Sequence, residues 1–323
     1  MEAIGIVAGE PNSISSEIIF KSWMLRKKFK HRPLFVIGSY DLFLLQNKKL
    51  KYPVKVKKIN KSFNNQDLKG NIMPIYDVKY KQNKPYKRIT SKSNNYIFKS
   101  FKIAIDLVKK KKIIGFINCP VYKETLFKNK YQGVTELVSK LSSCEGKEVM
   151  MMYNKSLSVC PITTHVPINK VSNSITKSLI VNKIKTINSF YIKYFKVKPK
   201  IWALGLNPHG FSPESRSEEK RIILPAIKII KQKGINISGP VSPDASFSNY
   251  SKNKINIIVG MYHDQVLTAF KALFNFNAIN ITLGLPYIRV SPDHGVATNI
   301  VGKKIANPES LIESIKFFNK IKS

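Results

Sequence analysis

Ile255-Asn256-Ile257-Ile258-Val259-Gly260-Met261-Tyr262-His263-Asp264-Gln265 begins as a strand and ends where a helix can begin. Its first six residues are an apolar, isoleucine-rich run without strict alternation, which suits a strand covered on both faces. A polar turn with His263 follows, and a helix can run from Asp264 toward Leu273. The same kind of run recurs at Ala3 to Ala8, Leu34 to Gly38, Ile113 to Asn118, Ile201 to Leu206 and Ala278 to Leu283. Between these lie helical spacings: Ile97, Phe101, Ala104, Ile105 and Val108, then Ile223, Ala226, Ile227 and Ile230. Pro225 predicts a kink or a late helix start. Asn307 and Pro308 predict an N-cap and first turn ahead of Leu311, Ile312, Ile315 and Phe318. Strands alternating with helices over 323 residues predict an α/β architecture, and the length favours two domains. The Lys/Asn-rich stretch from Gln46 to Asn95 is expected to hold two strands and long polar loops. The turn after the first strand, Gly9 to Glu17, has no GxGxxG fingerprint, which disfavours an ordinary Rossmann domain.

Composition narrows the function. Hydrophobic residues make up 43% of the chain, an ordinary globular value, and no run reaches the ~18 apolar residues of a membrane span. The N-terminus reads as a first strand and not as a signal peptide. Cys119, Cys144 and Cys160 are widely spaced without a CxxC pair, which fits a reducing, cytoplasmic setting. Lys+Arg number 55 against 19 Asp+Glu, a formal net charge of +36. The lysines are spread along the chain, and arginine, the usual base reader, is scarce. The charge therefore predicts a solvated surface that steers phosphorylated ligands inward, with no specific nucleic-acid partner and no membrane.

Five histidines occur, and four sit in compact motifs: Thr163-Thr164-His165-Val166-Pro167, Asn207-Pro208-His209, Tyr262-His263-Asp264 and Pro292-Asp293-His294-Gly295. Each on its own reads first as a hydrogen-bonded core or loop histidine. Together, His165, His209 and His263 on three separate loops match the three-ligand pattern of a catalytic metal with an open position. His209 and His263 follow apolar runs, where ligands bind beyond the carboxyl ends of strands in open α/β sheets. Asp244 and Asp264 are candidates to orient a ligand, and Asp264 is equally a helix N-cap. In the stretch 280–295, Arg289 reads either as a clamp for a carboxylate or phosphate or as a surface arginine. The Pro-Asp-His-Gly segment reads equally as a plain turn.

These motifs carry a resemblance. The chain resembles the 4-hydroxythreonine-4-phosphate dehydrogenase family of pyridoxal phosphate biosynthesis, most densely from Lys200 to Phe318. The shared segments are Gly205-Leu206-Asn207-Pro208-His209, Gly239-Pro240 with Asp244, Met261 to Gln265, and Leu283 through Arg289 to Gly295. Upstream they continue in Thr163 to Pro167 and in Asn118-Cys119-Pro120 with Lys123. The resemblance implies a homodimer of two-lobed α/β/α subunits similar to isocitrate and isopropylmalate dehydrogenases, with the active site in a cleft between lobes. Lobe boundaries are expected at 1–137 plus 300–323 for the first and 138–299 for the second. His165, His209 and His263 would hold a divalent metal (Zn, Mg or Co). Thr135, Lys271, Asn280 and Arg289 would contact a small phosphorylated hydroxy acid. Asp293, His294 and Gly295 are assigned to NAD or NADP. The general base is open between metal-bound water, Lys123 and Asp244.

The chain also departs from the family pattern. Where the family has Gly-His-Thr-Glu, this sequence reads Gly133-Val134-Thr135-Glu136, so a polar substrate contact is replaced by valine. Ser13 and Ser15 stand where the family's first loop has glycines, and Gly210-Phe211-Ser212-Pro213-Glu214-Ser215 replaces a glycine-rich run. These changes leave three rival expectations. One is a dehydrogenase respecified toward a phosphorylated erythronate or threonate. Another is a relative that has lost catalysis, and the third is a basic nucleic-acid-binding protein on an old fold.

Overall fold

The structure is a computed structural model, and it describes residues 2–127 and 133–321. Twelve strands run in chain order: β1 (Ala3–Val7), β2 (Leu34–Gly38), β3 (Val56–Ile59), β4 (Met73–Asp77), β5 (Ile113–Asn118), β6 (Val149–Tyr153), β7 (Ser158–Pro161), β8 (Ile201–Leu204), β9 (Ile237–Val241), β10 (Ile257–Gly260), β11 (Ile279–Leu283) and β12 (Ile288–Pro292). The chain divides into two compact units, one of Met1–Ser143 with Pro286–Lys320 and one centred on Cys144–Leu285.

In the first unit the strand order is β3-β4-β2-β1-β5-β12, and every pairing is parallel. All residues of β1 and β2 are buried, so both faces of these strands are covered. That is why their sequences are continuous apolar runs and not alternating ones. The helix Asn94–Lys109 packs on β5, β1 and β2 with Ile97, Phe101, Ala104 and Ile105 buried, the face its helical spacing predicts. Burying each such large side chain stabilises by roughly 1.5–3 kcal/mol. The helix Glu309–Lys320 begins where Asn307 accepts the Glu309 N–H at 2.9 Å, and it buries Leu311, Ile312, Ile315 and Phe318.

In the second unit the order is β11-β6-β7-β10-β8-β9. β6 runs antiparallel to both β11 and β7, while β7, β10, β8 and β9 are parallel. The helix His263–Phe274 leaves the end of β10 and buries Val266, Leu267 and Phe270 against a core with Met152, Val159, Leu204 and Ile258. Pro225 falls in the first turn of the helix Leu224–Gln232, which a π-helical turn, Glu219–Ile223, precedes. The helical conformation continues from Glu219–Ile223 into Leu224–Gln232, so Pro225, which has no N–H to donate, marks the change from π- to α-helical bonding inside one helical run and not a fresh start. No helix among the described residues is long and apolar enough to cross a membrane.

Candidate active site

The neighbouring parallel strands β7, β10 and β8 each run into a loop that carries one of the three histidines. Side chains tie these loops together. Thr163, at the end of β7, donates through its N–H (3.1 Å) and its Oγ1 (2.8 Å) to Met261 O after β10. Gln265 accepts from Met261 N at 2.6 Å and donates Nε2 to Gly205 O, after β8, at 2.7 Å. The third loop folds back on itself: a Cβ at Gly205 would lie 2.3 Å from Gly210 Cα, so only glycine permits that approach. His209 itself has φ +59°, in the left-handed region.

A buried carboxylate anchors this turn. Glu219 is 3% exposed and accepts from Leu206 N (2.8 Å), Asn207 N (2.9 Å) and Asn207 Nδ2 (2.8 Å). Burial pushes its carboxyl up, but these hydrogen bonds outweigh burial and hold it below the usual carboxylate range. Glu218 takes a second hydrogen bond from Asn207 Nδ2 at 3.1 Å. Neither glutamate stands out in the sequence. Ser217-Glu218-Glu219-Lys220 reads as the polar start of a helix, and only the fold shows that it reaches the Asn-Pro-His turn.

Two of the three histidines face carboxylates. His263 Nδ1 meets Asp264 Oδ1 at 2.7 Å. The Asp264 carboxylate thus lies on the imidazole, while the helix begins after Tyr262 with no side-chain cap. His209 Nδ1 lies 3.5 Å from Asp244 Oδ2. The hydrogen bond from Ser242 Oγ holds the Asp244 carboxyl below its usual range. The His165 and His263 rings are 6.2 Å apart between centroids. Two imidazoles on one tetrahedral ion would stand about 5 Å apart, given metal–nitrogen bonds of ~2.0–2.1 Å. Among the described residues no three His, Cys, Asp or Glu side chains stand close enough to hold one ion. The structure thus brings His165 near His263 and pairs His209 with Asp244. The donor chemistry nevertheless fits a divalent metal: an imidazole whose Nδ1 faces a carboxylate keeps Nε2 for an ion, the usual way in which ligating histidines are oriented. His165 and His209 are exposed and His263 is half-buried.

Two other expected residues of the second unit are placed as follows. Asn280 is half-buried on β11, and its Oδ1 is buried with no hydrogen-bond partner among the described residues. Lys271 is exposed in the last turn of the helix His263–Phe274.

In the first unit, Arg289 lies on β12 and is 2% exposed, which excludes a surface arginine. Its Nε donates to Asn118 Oδ1 at 2.6 Å and its Nη1 to Thr135 Oγ1 at 3.5 Å. Burial pulls the guanidinium down to about 10, against the opposing pull of Tyr287 and Glu136, so it stays protonated at neutral pH. Thr135 and Val134 open the helix Val134–Leu141. Lys123 is exposed at the start of the short helix Lys123–Phe127. Asp293 N donates to Ser310 Oγ at 2.9 Å, which fixes the start of the Asp293-His294-Gly295 turn. His294 Nδ1 faces Gly295 O at 3.2 Å, and its Nε2 is buried with no partner among the described residues. Burial lowers the His294 pKa and keeps the ring neutral. A Cβ at Gly295 would meet nothing within 4 Å, so the space beside this turn is open.

The serines in the first loop have a structural role of their own. Ser13 Oγ donates to Glu10 O (2.7 Å) and accepts from Ser15 N (3.1 Å), and neither serine has a positive φ. This loop therefore needs no glycine at positions 13 and 15. It does need Gly9, whose φ is +73° and whose Cβ would sit 2.3 Å from Pro120 O.

Known proteins are similar to this chain in sequence and in fold. The family model described as "Pyridoxal phosphate biosynthetic protein PdxA" matches residues 30–318. The chain is 37% identical to the 4-hydroxythreonine-4-phosphate dehydrogenase of Sulfurihydrogenibium sp. (strain YO3AOP1), over 98% of this chain and 97% of that one. It is 34% identical to the enzyme of the same name from Aquifex aeolicus (strain VF5), over 98% of each. The crystal structure of 4-hydroxythreonine-4-phosphate dehydrogenase from Klebsiella pneumoniae superposes with a TM-score of 0.86 at 26% identity, covering 98% of this chain and 96% of that one. With its sequence matched nearly end to end and its α/β fold shared, the chain belongs to the PdxA family, whose relatives named here are dehydrogenases.

Proposed function

We propose that this chain oxidises 4-hydroxythreonine 4-phosphate with NAD or NADP in a metal-dependent reaction that proceeds to decarboxylation. The observation that carries the reading is the set of three histidine loops at neighbouring strand ends, cross-tied by Thr163 and Gln265, with Asp264 and Asp244 behind two of the imidazoles. In this reading His165, His209 and His263 hold the ion. When bound there, a divalent metal would supply Lewis-acid charge beside the substrate hydroxyl, and NAD or NADP would supply the hydride acceptor. Arg289 and Lys271 fix anionic groups of the substrate. Thr135 and Asn280 hydrogen-bond its polar groups, and the unpartnered Asn280 Oδ1 suits a hydroxyl or ammonium donor. Asp293, His294 and Gly295 border the dinucleotide, where the neutral His294 places no charge against it. Lys123 and Asp244 are the candidates for moving the hydroxyl proton. The family resemblance extends the reading to a homodimer. The buried thiols of Cys119 and Cys160 fit a reducing cytoplasm.

Val134 favours a second reading within the same chemistry: a phosphorylated threonate or erythronate as substrate, whose neutral hydroxyl is less polar than the ammonium of 4-hydroxythreonine 4-phosphate. Purified protein supplied with Zn, Mg or Co and either dinucleotide should reduce the cofactor on 4-hydroxythreonine 4-phosphate. His209→Ala should lose metal and activity together, while His31→Ala, outside every motif, should keep both. Full metal content in His209→Ala would remove the metal assignment. Turnover confined to the threonate or erythronate phosphate would transfer the reading to the second substrate class.

A further inference from the structure

The first unit contains a cleft of about 600 Å3 lined by five cations, Lys79, Lys81, Lys87, Arg88 and Lys92, and by no carboxylate. None of the five is in an ion pair among the described residues. Like charges gathered this way repel one another, so something must hold the segments that bear them. Asn12, 4% exposed, does so: its Oδ1 accepts from Lys87 N at 2.8 Å and from Gln82 Nε2 at 3.0 Å. Glu10, 1% exposed, steadies Asn12 by accepting its N–H at 3.2 Å, and its other oxygen accepts from Ser93 Oγ at 3.0 Å. Gln46 Nε2 adds bonds to Pro11 O and Pro85 O at 2.8 and 2.9 Å. A buried polar cluster thus pins both basic segments to the first loop. Thr90 and Asn95 also line the cleft, so the start of the helix Asn94–Lys109 borders it and adds its positive end.

Lys87 and Arg88 border a second cleft as well, of about 760 Å3, lined also by Tyr86, Tyr122, Thr298 and Val301. Its aromatic and apolar lining suits a flat ring, while the first cleft suits negative oxygens. Glu124, which also lines it, is occupied by the Tyr122 hydroxyl at 2.6 Å. Thr298 lies just beyond the Asp293-His294-Gly295 turn.

We propose that Lys87 and Arg88 form a diphosphate-binding ridge that takes a nucleoside diphosphate moiety, with its phosphates over the cationic cleft and its base against Tyr86 and Tyr122. The moiety is half of a dinucleotide or a free nucleotide, and only the first source rests on the dehydrogenase reading above. The test is ADP binding to metal-free, substrate-free full-length protein at physiological ionic strength, followed by titration calorimetry. ADP and inorganic pyrophosphate should bind, and adenosine should bind at least tenfold more weakly than ADP. Lys87→Gln with Arg88→Gln should weaken ADP at least tenfold, while Lys48→Gln with Lys49→Gln, a basic pair outside the cleft, should leave it unchanged. Asn12→Ala, which removes no charge, should also weaken ADP, as expected of a built site and not of diffuse charge. Absence of ADP binding, or equal loss in both lysine-containing pairs, would overturn the proposal. NADH that displaces ADP identifies the dinucleotide as the source, and NADH that binds beside ADP identifies a free nucleotide. ADP binding that persists in a protein without dehydrogenase activity would leave this site standing while the proposed function fails.

Discussion

Arg289 donates Nε to Asn118 Oδ1 at 2.6 Å although both residues are only 2% exposed. A guanidinium held this way keeps its remaining N–H groups pre-aimed and loses little freedom when an anion arrives. Arg289→Lys keeps the charge and loses the fork. The variant should cut kcat/KM for the phosphorylated substrate on the order of tenfold to a hundredfold, since a hydrogen bond to a charged group is worth roughly 1.5–3 kcal/mol. Steady-state kinetics with unchanged kcat/KM would place the substrate's anion elsewhere.

Gln265 joins the turns after β10 and β8 by accepting from Met261 N and donating to Gly205 O. Gln265→Leu should leave all three histidines in the chain but loosen their relative positions. Metal affinity should fall by roughly tenfold to a hundredfold, the range for partners that orient ligands. Calorimetric metal titration checks this, and Gln265→Glu, which keeps only the acceptor, should fall between wild type and Gln265→Leu.

Val134 occupies the first position of the helix Val134–Leu141, next to Thr135, which accepts from Arg289. One missing polar contact costs on the order of tenfold to a hundredfold in rate or affinity. Val134→His is therefore expected to raise turnover on 4-hydroxythreonine 4-phosphate within that range. If the native substrate is a threonate or erythronate phosphate, the same change should lower turnover on that compound instead.

His294 has a pKa below its ordinary value of 6.5 because burial disfavours the charged ring. The folded protein resists protonation that the unfolded chain accepts, so the contribution of His294 to stability is complete above about pH 6.5 and is lost as pH falls toward the folded value. Denaturant melts should show wild type losing stability between pH 7 and 5 more steeply than His294→Asn. Parallel slopes for the two would mean that the ring is solvated.

The parts of the fold that were legible in the sequence share a physical cause. β2 and β5 coincide with the apolar runs Leu34–Gly38 and Ile113–Asn118 because parallel strands covered on both faces admit few polar residues. β6 and β7 carry Met150, Ser158 and Cys160 in an antiparallel pair, so no isoleucine- and valine-rich run marked them. β12 escaped because Arg289 interrupts its apolar pattern, and the interruption is the residue proposed to hold the substrate's anion. The histidine motifs were visible as clusters of polar residues at the ends of runs. Their fastening by Glu219 was not, because nothing local tells a buried carboxylate from a solvated one until the partner backbone is in place.

The first unit is interrupted by the second: β5 ends at Asn118, and its parallel neighbour β12 begins only at Ile288. During synthesis the edge of β5 that faces Ile288 must therefore wait while the whole of Cys144–Leu285 is made. At elongation rates of about 5–20 residues per second that delay is on the order of ten to thirty seconds. Throughout it, the backbone of Gly115 and Phe116 offers an open strand edge of the kind that invites pairing with another chain. The second unit can close before release from the ribosome, and the first cannot until its C-terminal segment emerges. Chains that end at residue 285 and are held on the ribosome by a linker long enough to clear its tunnel should accordingly protect β7, β8 and β10 from proteolysis while leaving β5 open to cleavage and chaperone capture.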